Sequence, residues 1–199
     1  MPPERTGVEG FDWLDAPTEL AARRLLGCEL EHDLGREVLR VRIVETEAYD
    51  QDDEASHAFR GPTARNATMF GAAGHLYVYR IHGHHCCNVV TGRAGYGQGA
   101  LVRAAEPILG EPVMSSRRGR GGYELTNGPG KVCQALGITS ELDGHDLAHP
   151  PLRLVRRPPL PDDEIVVSTR IGISRAVDAP RRFHVLGNPY VSKGRQSRG

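Results

Sequence analysis

Leu39-Arg40-Val41-Arg42-Ile43-Val44-Glu45-Thr46-Glu47-Ala48-Tyr49 is the stretch on which the reading of the fold turns. Leu39, Val41 and Ile43 share one face and Arg40 and Arg42 the other, the period of two that marks a half-buried β-strand. A turn at Gly35 precedes it. Upstream, Asp15 is the expected N-cap of a helix with Pro17 in its first turn, where a missing N–H does no harm, and Gly27 as its stop. Downstream, Leu76-Tyr77-Val78-Tyr79-Arg80-Ile81-His82-Gly83 and the return to Asn88 read as a β-hairpin tipped by Ile81, His82 and Gly83. Further strands are expected at Ala100–Ala104 and Ile165–Val167, and a helix from Pro129 to Gly137. Arg117-Arg118-Gly119-Arg120-Gly121-Gly122 reads as a loop, and Pro150-Pro151 and Pro158-Pro159-Leu160-Pro161 as surface turns. No internal repeat and no composition break divides the chain. The pattern predicts one α+β domain on mostly antiparallel strands across residues 11–192, with 1–10 and 193–199 as flexible tails.

Composition sets wide bounds. With 199 residues, 39% hydrophobic and 25% charged, the chain is long enough for a sizeable core and ordinary for a soluble globular protein. Net charge is zero, yet residues 1–100 carry 10 Lys/Arg against 15 Asp/Glu and the remainder reverses the ratio. Such asymmetry is compatible with one face meeting a polyanion. Lys131 and Lys193 are the only lysines; arginine, which binds phosphate bidentately, supplies the rest of the positive charge. The cysteines (Cys28, Cys86, Cys87, Cys133) have no paired spacing, so reduced thiols and a cytoplasmic setting, nucleoid-associated in a bacterium, are expected. Met1-Pro2-Pro3-Glu4-Arg5 does not read as a signal peptide, and no apolar run approaches membrane-spanning length.

Continued alternation would put Glu45 and Glu47 on the face of Val41 and Ile43. A carboxylate emerging from a buried face is desolvated, the setting in which a side chain serves as a base. The plain alternative is a strand-end glutamate facing solvent. Tyr49, His57, Tyr77, Tyr79 and His82 are five flat rings in a chain that is 6% aromatic. Converging, they would form a stacking box for a nucleobase at roughly 1–3 kcal/mol per base. Strand tyrosines are otherwise core packing. His82-Gly83-His84-His85-Cys86-Cys87 has metal-ligand types, but alternation sends neighbours to opposite faces, so no metal site and no cofactor is expected. Neither H-x-E nor P-C-x-x-C occurs, which disfavours a zinc nucleobase deaminase. A hairpin tip of Ile81 and His82 could wedge into the minor groove with Arg80 facing phosphate. Asn127-Gly128-Pro129-Gly130-Lys131 opens a helix whose free N–H groups attract phosphate, without being a nucleotide triphosphate loop.

Taken together the chain resembles the alkyladenine (3-methyladenine) DNA glycosylase family. The matching pieces are Ile43–Tyr49, Ala55-Ser56-His57, Arg65-Asn66 with Met69-Phe70, Leu76–Tyr79, Asn88, Leu101–Pro107, Asn127–Leu136, Arg170–Ile173, and Arg182-Phe183 through Gly187–Ser192. They run in family order over nearly the whole chain. The resemblance implies a strongly curved sheet flanked by helices with a protruding hairpin, and a monomeric, monofunctional enzyme of base excision repair. Its partner would be double-stranded DNA containing damaged purines, alkylated or deaminated. Glu47 would deprotonate a water that Arg103 and the Ile171 carbonyl help to hold. Tyr49, His57 and Tyr79 would sandwich the flipped base, and Asn88 would crowd the 2-amino group of guanine. His82 and Ile81 would form the wedge, with Arg80 and Lys131 on phosphates. The chemistry is coherent, since glycosidic cleavage passes through an oxocarbenium-like sugar that a carboxylate stabilises. No lyase step is expected, because the matched pocket residues include no amine. Two departures stand out: His82 replaces the family's intercalating tyrosine, and Asp50-Gln51-Asp52-Asp53-Glu54 lacks the Gly-Pro often found before the histidine. The latter bears on the loop path and on the placing of His57.

Two other readings compete. A silent damaged-DNA-binding module would bind lesions without releasing bases, and a free-nucleoside hydrolase would act with little dependence on salt.

Overall fold

The computed structural model describes residues 10–193. Apart from Gly10 and Lys193, the two stretches read as tails lie outside the described residues. The elements in order are α1 (Thr18–Arg24), β1 (Glu29–Asp33), β2 (Val38–Tyr49), β3 (Leu76–Ile81), β4 (His84–Val90), β5 (Gly99–Leu109), α2 (Glu111–Arg118), α3 (Pro129–Leu136), β6 (Leu152–Val155), β7 (Ile165–Ser168) and β8 (Arg182–Val185). All strands pair antiparallel in one curled eight-stranded sheet, ordered β3-β4-β5-β2-β1-β6, with β8 on β2 and β7 on β8. This is the α+β domain that the pattern predicted.

Strand β2 is the spine. Along one edge β5 follows it from Arg40 to Tyr49; along the other, β1 takes residues 38–42 and β8 takes 45–47. The sheet therefore forks where the alternation breaks. Pairing with β5 is irregular between Ile43 and Glu45 and again between Glu45 and Thr46. Leu39, Val41 and Ile43 point into the core, but beyond the irregularity Ala48 does so, and Thr46 donates to the Ala22 carbonyl of α1 at 2.9 Å. Glu45 and Glu47 thus face away from the core side of Val41 and Ile43, contrary to simple alternation. A bulge reverses the facing of every residue after it. Both carboxylates are fully buried all the same.

The main core lies between the sheet and the three helices. Leu25 and Leu26 after α1, Met114 of α2 and Leu136 of α3 share one buried cluster with Leu39 of β2 and Val102 of β5. Burying each such side chain contributes about 1.5–3 kcal/mol. Helix α1 starts at Thr18 after Pro17, and no side chain caps it; Asp15 sits in the preceding turn, so the expected cap is absent. A smaller cluster of Ala58, Met69, Tyr77 and Val90 fixes the segment between β2 and β3. Helix α3 ends at Gly137 in the left-handed conformation (φ +74°), as the sequence predicts.

The β3–β4 hairpin turns on His82 (φ +48°) and Gly83 (φ +82°). Positive φ at both central residues is the two-residue turn whose twist matches its strands, and histidine tolerates it better than most side chains. Ile81, His82 and His84 are exposed at this tip.

Candidate active site

The sheet and the loops beside it form a cavity of about 730 Å³. Strand β2 delivers Glu47 and Tyr49 to it, β3 Tyr77 and Tyr79, β4 Cys86 and Asn88, and β5 Arg103. Loops add His57 on one side and Ile171 on the other, and Ile81 and His82 complete the mouth at the hairpin tip. Period-two alternation explains why Tyr77, Tyr79 and Ile81 arrive together. It also explains why Arg80, expected near phosphate, points to the other face and does not line the cavity.

Glu47 has no exposed surface. The Ile171 N–H donates to its Oε1 at 2.9 Å and the Tyr49 hydroxyl to its Oε2 at 2.8 Å. Arg103 Nη1 stands 3.4 Å from Oε1. Ile171, whose carbonyl is expected to help hold the water, touches the carboxylate itself through its amide. Glu45, equally buried, is held differently: the Ser192 N–H donates to Oε2 at 2.6 Å, the Ser192 hydroxyl to Oε1 at 2.8 Å, and Arg182 Nε to the same Oε1. Arg103 spans the pair, with Nε 3.5 Å from Glu45 and donating to Ser192 Oγ at 3.1 Å. Glu45 is consumed in tying the segment at Ser192 to the sheet and does not line the cavity; Glu47 does.

The aromatic walls are packed to one another. The His57 and Tyr79 rings meet edge to face at 4.6 Å, Tyr77 and Tyr79 stack at 5.7 Å, and His57 Nδ1 lies 3.0 Å from the Tyr77 hydroxyl. Burial first, then the Glu47 charge, pushes the Tyr49 phenol well above its ordinary value, so it remains a donor to Glu47. Burial likewise raises the Tyr79 phenol, and it pushes the Cys86 thiol up to about 11. Cys86 is therefore a neutral wall beside Tyr79, while Cys87 turns into the core. Asn88 is buried with its amide Nδ2 unpartnered, a polar group available to whatever fills the pocket.

His57 is held from behind. Asn66, itself buried, donates to the His57 carbonyl at 2.7 Å and to the Gly61 carbonyl at 3.1 Å, and accepts from the Thr63 amide. The acidic linker before His57 is anchored too. Asp53 and Arg170 form a bidentate pair with both side chains buried, and Arg181 reaches Asp50 at 2.9 Å. Arg170 also donates to the Ala48 carbonyl at 2.9 Å and lays its guanidinium 4.6 Å from the centre of the Tyr49 ring. Sequence reasoning matched Arg170 without giving it a role and passed over Asp53; no local pattern joins residues 117 positions apart.

Of the residues singled out beforehand, Glu47, Tyr49, His57, Tyr79, Asn88, Arg103 and Ile171 converge on this cavity, with Ile81 and His82 at its rim. Lys131 does not line it; its ammonium donates to Asn127 Oδ1 at 2.7 Å at the start of α3. Lys193, which sequence reasoning placed in a tail, does line it.

A buried, doubly hydrogen-bonded carboxylate flanked by an arginine thus lines an aromatic-walled cleft. The profile of the family described as Methylpurine-DNA glycosylase (MPG) matches residues 12–189. A protein of Methanoculleus marisnigri is 49% identical over 183 residues, covering 88% of this chain and 94% of its own. One from Nitrosospira multiformis is 51% identical over 154 residues, covering 76% and 79%. One from Granulibacter bethesdensis is 45% identical over 202 residues, covering 100% and 93%. All three carry the description "Putative 3-methyladenine DNA glycosylase". The chain belongs to the methylpurine-DNA glycosylase family. No helix among the described residues is long and apolar enough to cross a membrane.

Proposed function

We propose that this protein is a monofunctional DNA glycosylase that takes a damaged purine out of the duplex stack and hydrolyses its N-glycosidic bond. The observation that carries the reading is the inequality of two buried carboxylates: Glu45 is absorbed by Ser192 and Arg182, while Glu47 faces the cavity. In the reaction Glu47 removes a proton from a water whose oxygen bonds to C1′ of the sugar. The C1′–N bond breaks, and the base leaves with its electron pair. Negative charge at Glu47 stabilises the oxocarbenium-like sugar, and Arg103, 3.4 Å from its Oε1, orients that carboxylate. An alkylated purine that is already cationic leaves as a neutral base and favours electron-rich ring faces. Tyr49, His57 and Tyr79 supply those faces, and the His82 tip takes the space that the purine vacates. The stacking, roughly 1–3 kcal/mol per base, offsets much of the few kcal/mol needed for extrusion.

The test is single-turnover base release in EDTA from duplexes carrying hypoxanthine, ethenoadenine or methylated purines. Abasic sites in an unbroken strand are expected. Strand cleavage with borohydride trapping of a covalent complex would overturn the monofunctional reading and point to Lys193, the amine that lines the cavity. Lesion-selective binding without release would favour the silent binding module.

Two further outcomes are expected. Burial first, and the Arg65 guanidinium second, hold the His57 imidazole below its ordinary value, so it is neutral at neutral pH. Its proton arrives only as pH falls below about 6.5, which puts positive charge beside a cationic base. Binding of duplex containing a cationic alkylpurine should therefore be flat from neutral pH upward and weaken below that point; a His57→Gln variant should lack the acid limb in a fluorescence-anisotropy titration. Asn88→Ala removes the amide that would crowd a 2-amino group. Excision of alkylguanine relative to alkyladenine should rise about tenfold, scored in competition on one methylated DNA.

A further inference from the structure

Beside the base cavity lies a second one of about 420 Å³, and His57 and Tyr77 line both. We propose that this second cavity seats a backbone phosphate of the strand that carries the flipped nucleotide, an inference that rests on the glycosylase reading. Three exposed guanidiniums line it: Arg60, Arg65 and Arg175. Several arginines elsewhere in the fold are neutralised by carboxylates. Arg40 and Arg153 are bound to Glu31, Arg157 to Glu29, and Arg182 to Glu45. Arg60, Arg65 and Arg175 pair with no carboxylate among the described residues, and Glu54, the one carboxylate that lines the cavity, engages none of them. Three unneutralised cations around one concavity favour an anion, and the planar guanidinium fork matches two phosphate oxygens at once.

The placement selects the source of that anion. Glu54, His57, Tyr77 and Arg175 line both cavities, so a group seated here is a near neighbour of whatever occupies the base pocket. Arg65 Nη2 reaches the Arg80 carbonyl at 3.5 Å, which sets this cavity against the hairpin strand as well. The floor is built, because Asn66 ties residues 57, 61 and 63 together and leaves little to reorganise on binding. A phosphodiester covalently joined to the flipped nucleotide satisfies all three conditions. A free nucleoside has no such group, so the cavity would also discriminate DNA from free nucleosides.

The experiment is equilibrium binding of the full chain to lesion duplexes in which a neutral methylphosphonate replaces one phosphate at a time around the lesion. It is run with wild type, Arg60→Ala and Arg65→Ala, with inorganic phosphate as competitor in a separate arm. One linkage is expected whose neutralisation weakens wild-type binding about tenfold but the arginine variants by less than about twofold, and each variant should lower the salt slope by about 0.9. Losses that multiply at every linkage, or an unchanged salt slope in folded variants, would overturn the site. Competition by millimolar inorganic phosphate with no linkage dependence would replace the phosphodiester by a free anion and equally overturn it. Absence of lesion-dependent binding and release in wild type would instead sink the glycosylase reading beneath it.

Discussion

Glu47→Gln should abolish base release while lesion binding persists, with a single-turnover rate roughly 10²–10⁴-fold below wild type, the range that a positioned general base supplies. The geometry sharpens this expectation. Both carboxylate oxygens already receive donors, the Ile171 N–H on one and the Tyr49 hydroxyl on the other. An amide offers one oxygen, so its NH2 must face one of those donors or turn it away. That adds a destabilisation of about 1–3 kcal/mol from an unsatisfied buried group, visible as a modest drop in Tm. Glu47→Asp keeps the charge but draws it back from Ile171 and Tyr49, and should retain a measurable rate that Gln lacks. Glu45→Gln gives the contrast: its loss should appear mainly as instability, because Ser192 and Arg182 occupy the group and it does not line the cavity. Equal losses of release in the two glutamine variants at matched stability would contradict the assignment of the base to Glu47.

The two glutamates also show where sequence reading reaches its limit. Alternation at Leu39, Val41 and Ile43 announced β2 and its core face, since a two-residue period is printed in the chain. The hairpin was legible because Gly83 and the flanking aromatic alternation leave few other conformations, and α3 because Pro129 and Gly137 bracket it. What reversed the facing of Glu45 and Glu47 is an irregularity in pairing with β5, a property of two strands in register rather than of either one. The distinction between the carboxylates was equally hidden, for Ser192 lies 147 residues from Glu45. Tyr49, His57, Tyr79, Asn88 and Arg103 could be named from motif order, but the supports behind them could not. Asn66 behind His57 and Arg170 behind Tyr49 act through backbone carbonyls and through space, and neither leaves a periodic trace.

Arg170→Ala should cause the largest stability loss of any substitution outside the apolar core, about 3–5 kcal/mol, because it strands the buried Asp53 carboxylate without its partner. In a domain of this size that corresponds to roughly 6–20 °C in Tm by calorimetry. The pH dependence fixes the cause. Burial alone would raise the Asp53 carboxyl, but hydrogen bonding from Arg170 and the Ala55 amide, with the nearby guanidinium charges, outweighs it and holds the group below the usual carboxylate value. A depressed folded value contributes stability that is complete above the unfolded value of about 3.9 and is lost as pH falls through the lower folded one. Wild type and Arg170→Ala should thus differ most at neutral pH and converge below about pH 4. The paired variant Arg170→Met with Asp53→Leu separates stability from positioning. Apolar replacement of a buried pair commonly restores stability, so much of the lost Tm should return. Activity should not. Without Arg170 nothing fixes the Tyr49 ring from behind, the Ala48 carbonyl loses its donor, and the amide at Ile171 is no longer anchored by its neighbour. A stable double variant with unimpaired base release would show the clamp to be scaffold alone; a stable one with low kcat would make it the device that holds Tyr49 and Ile171 on Glu47.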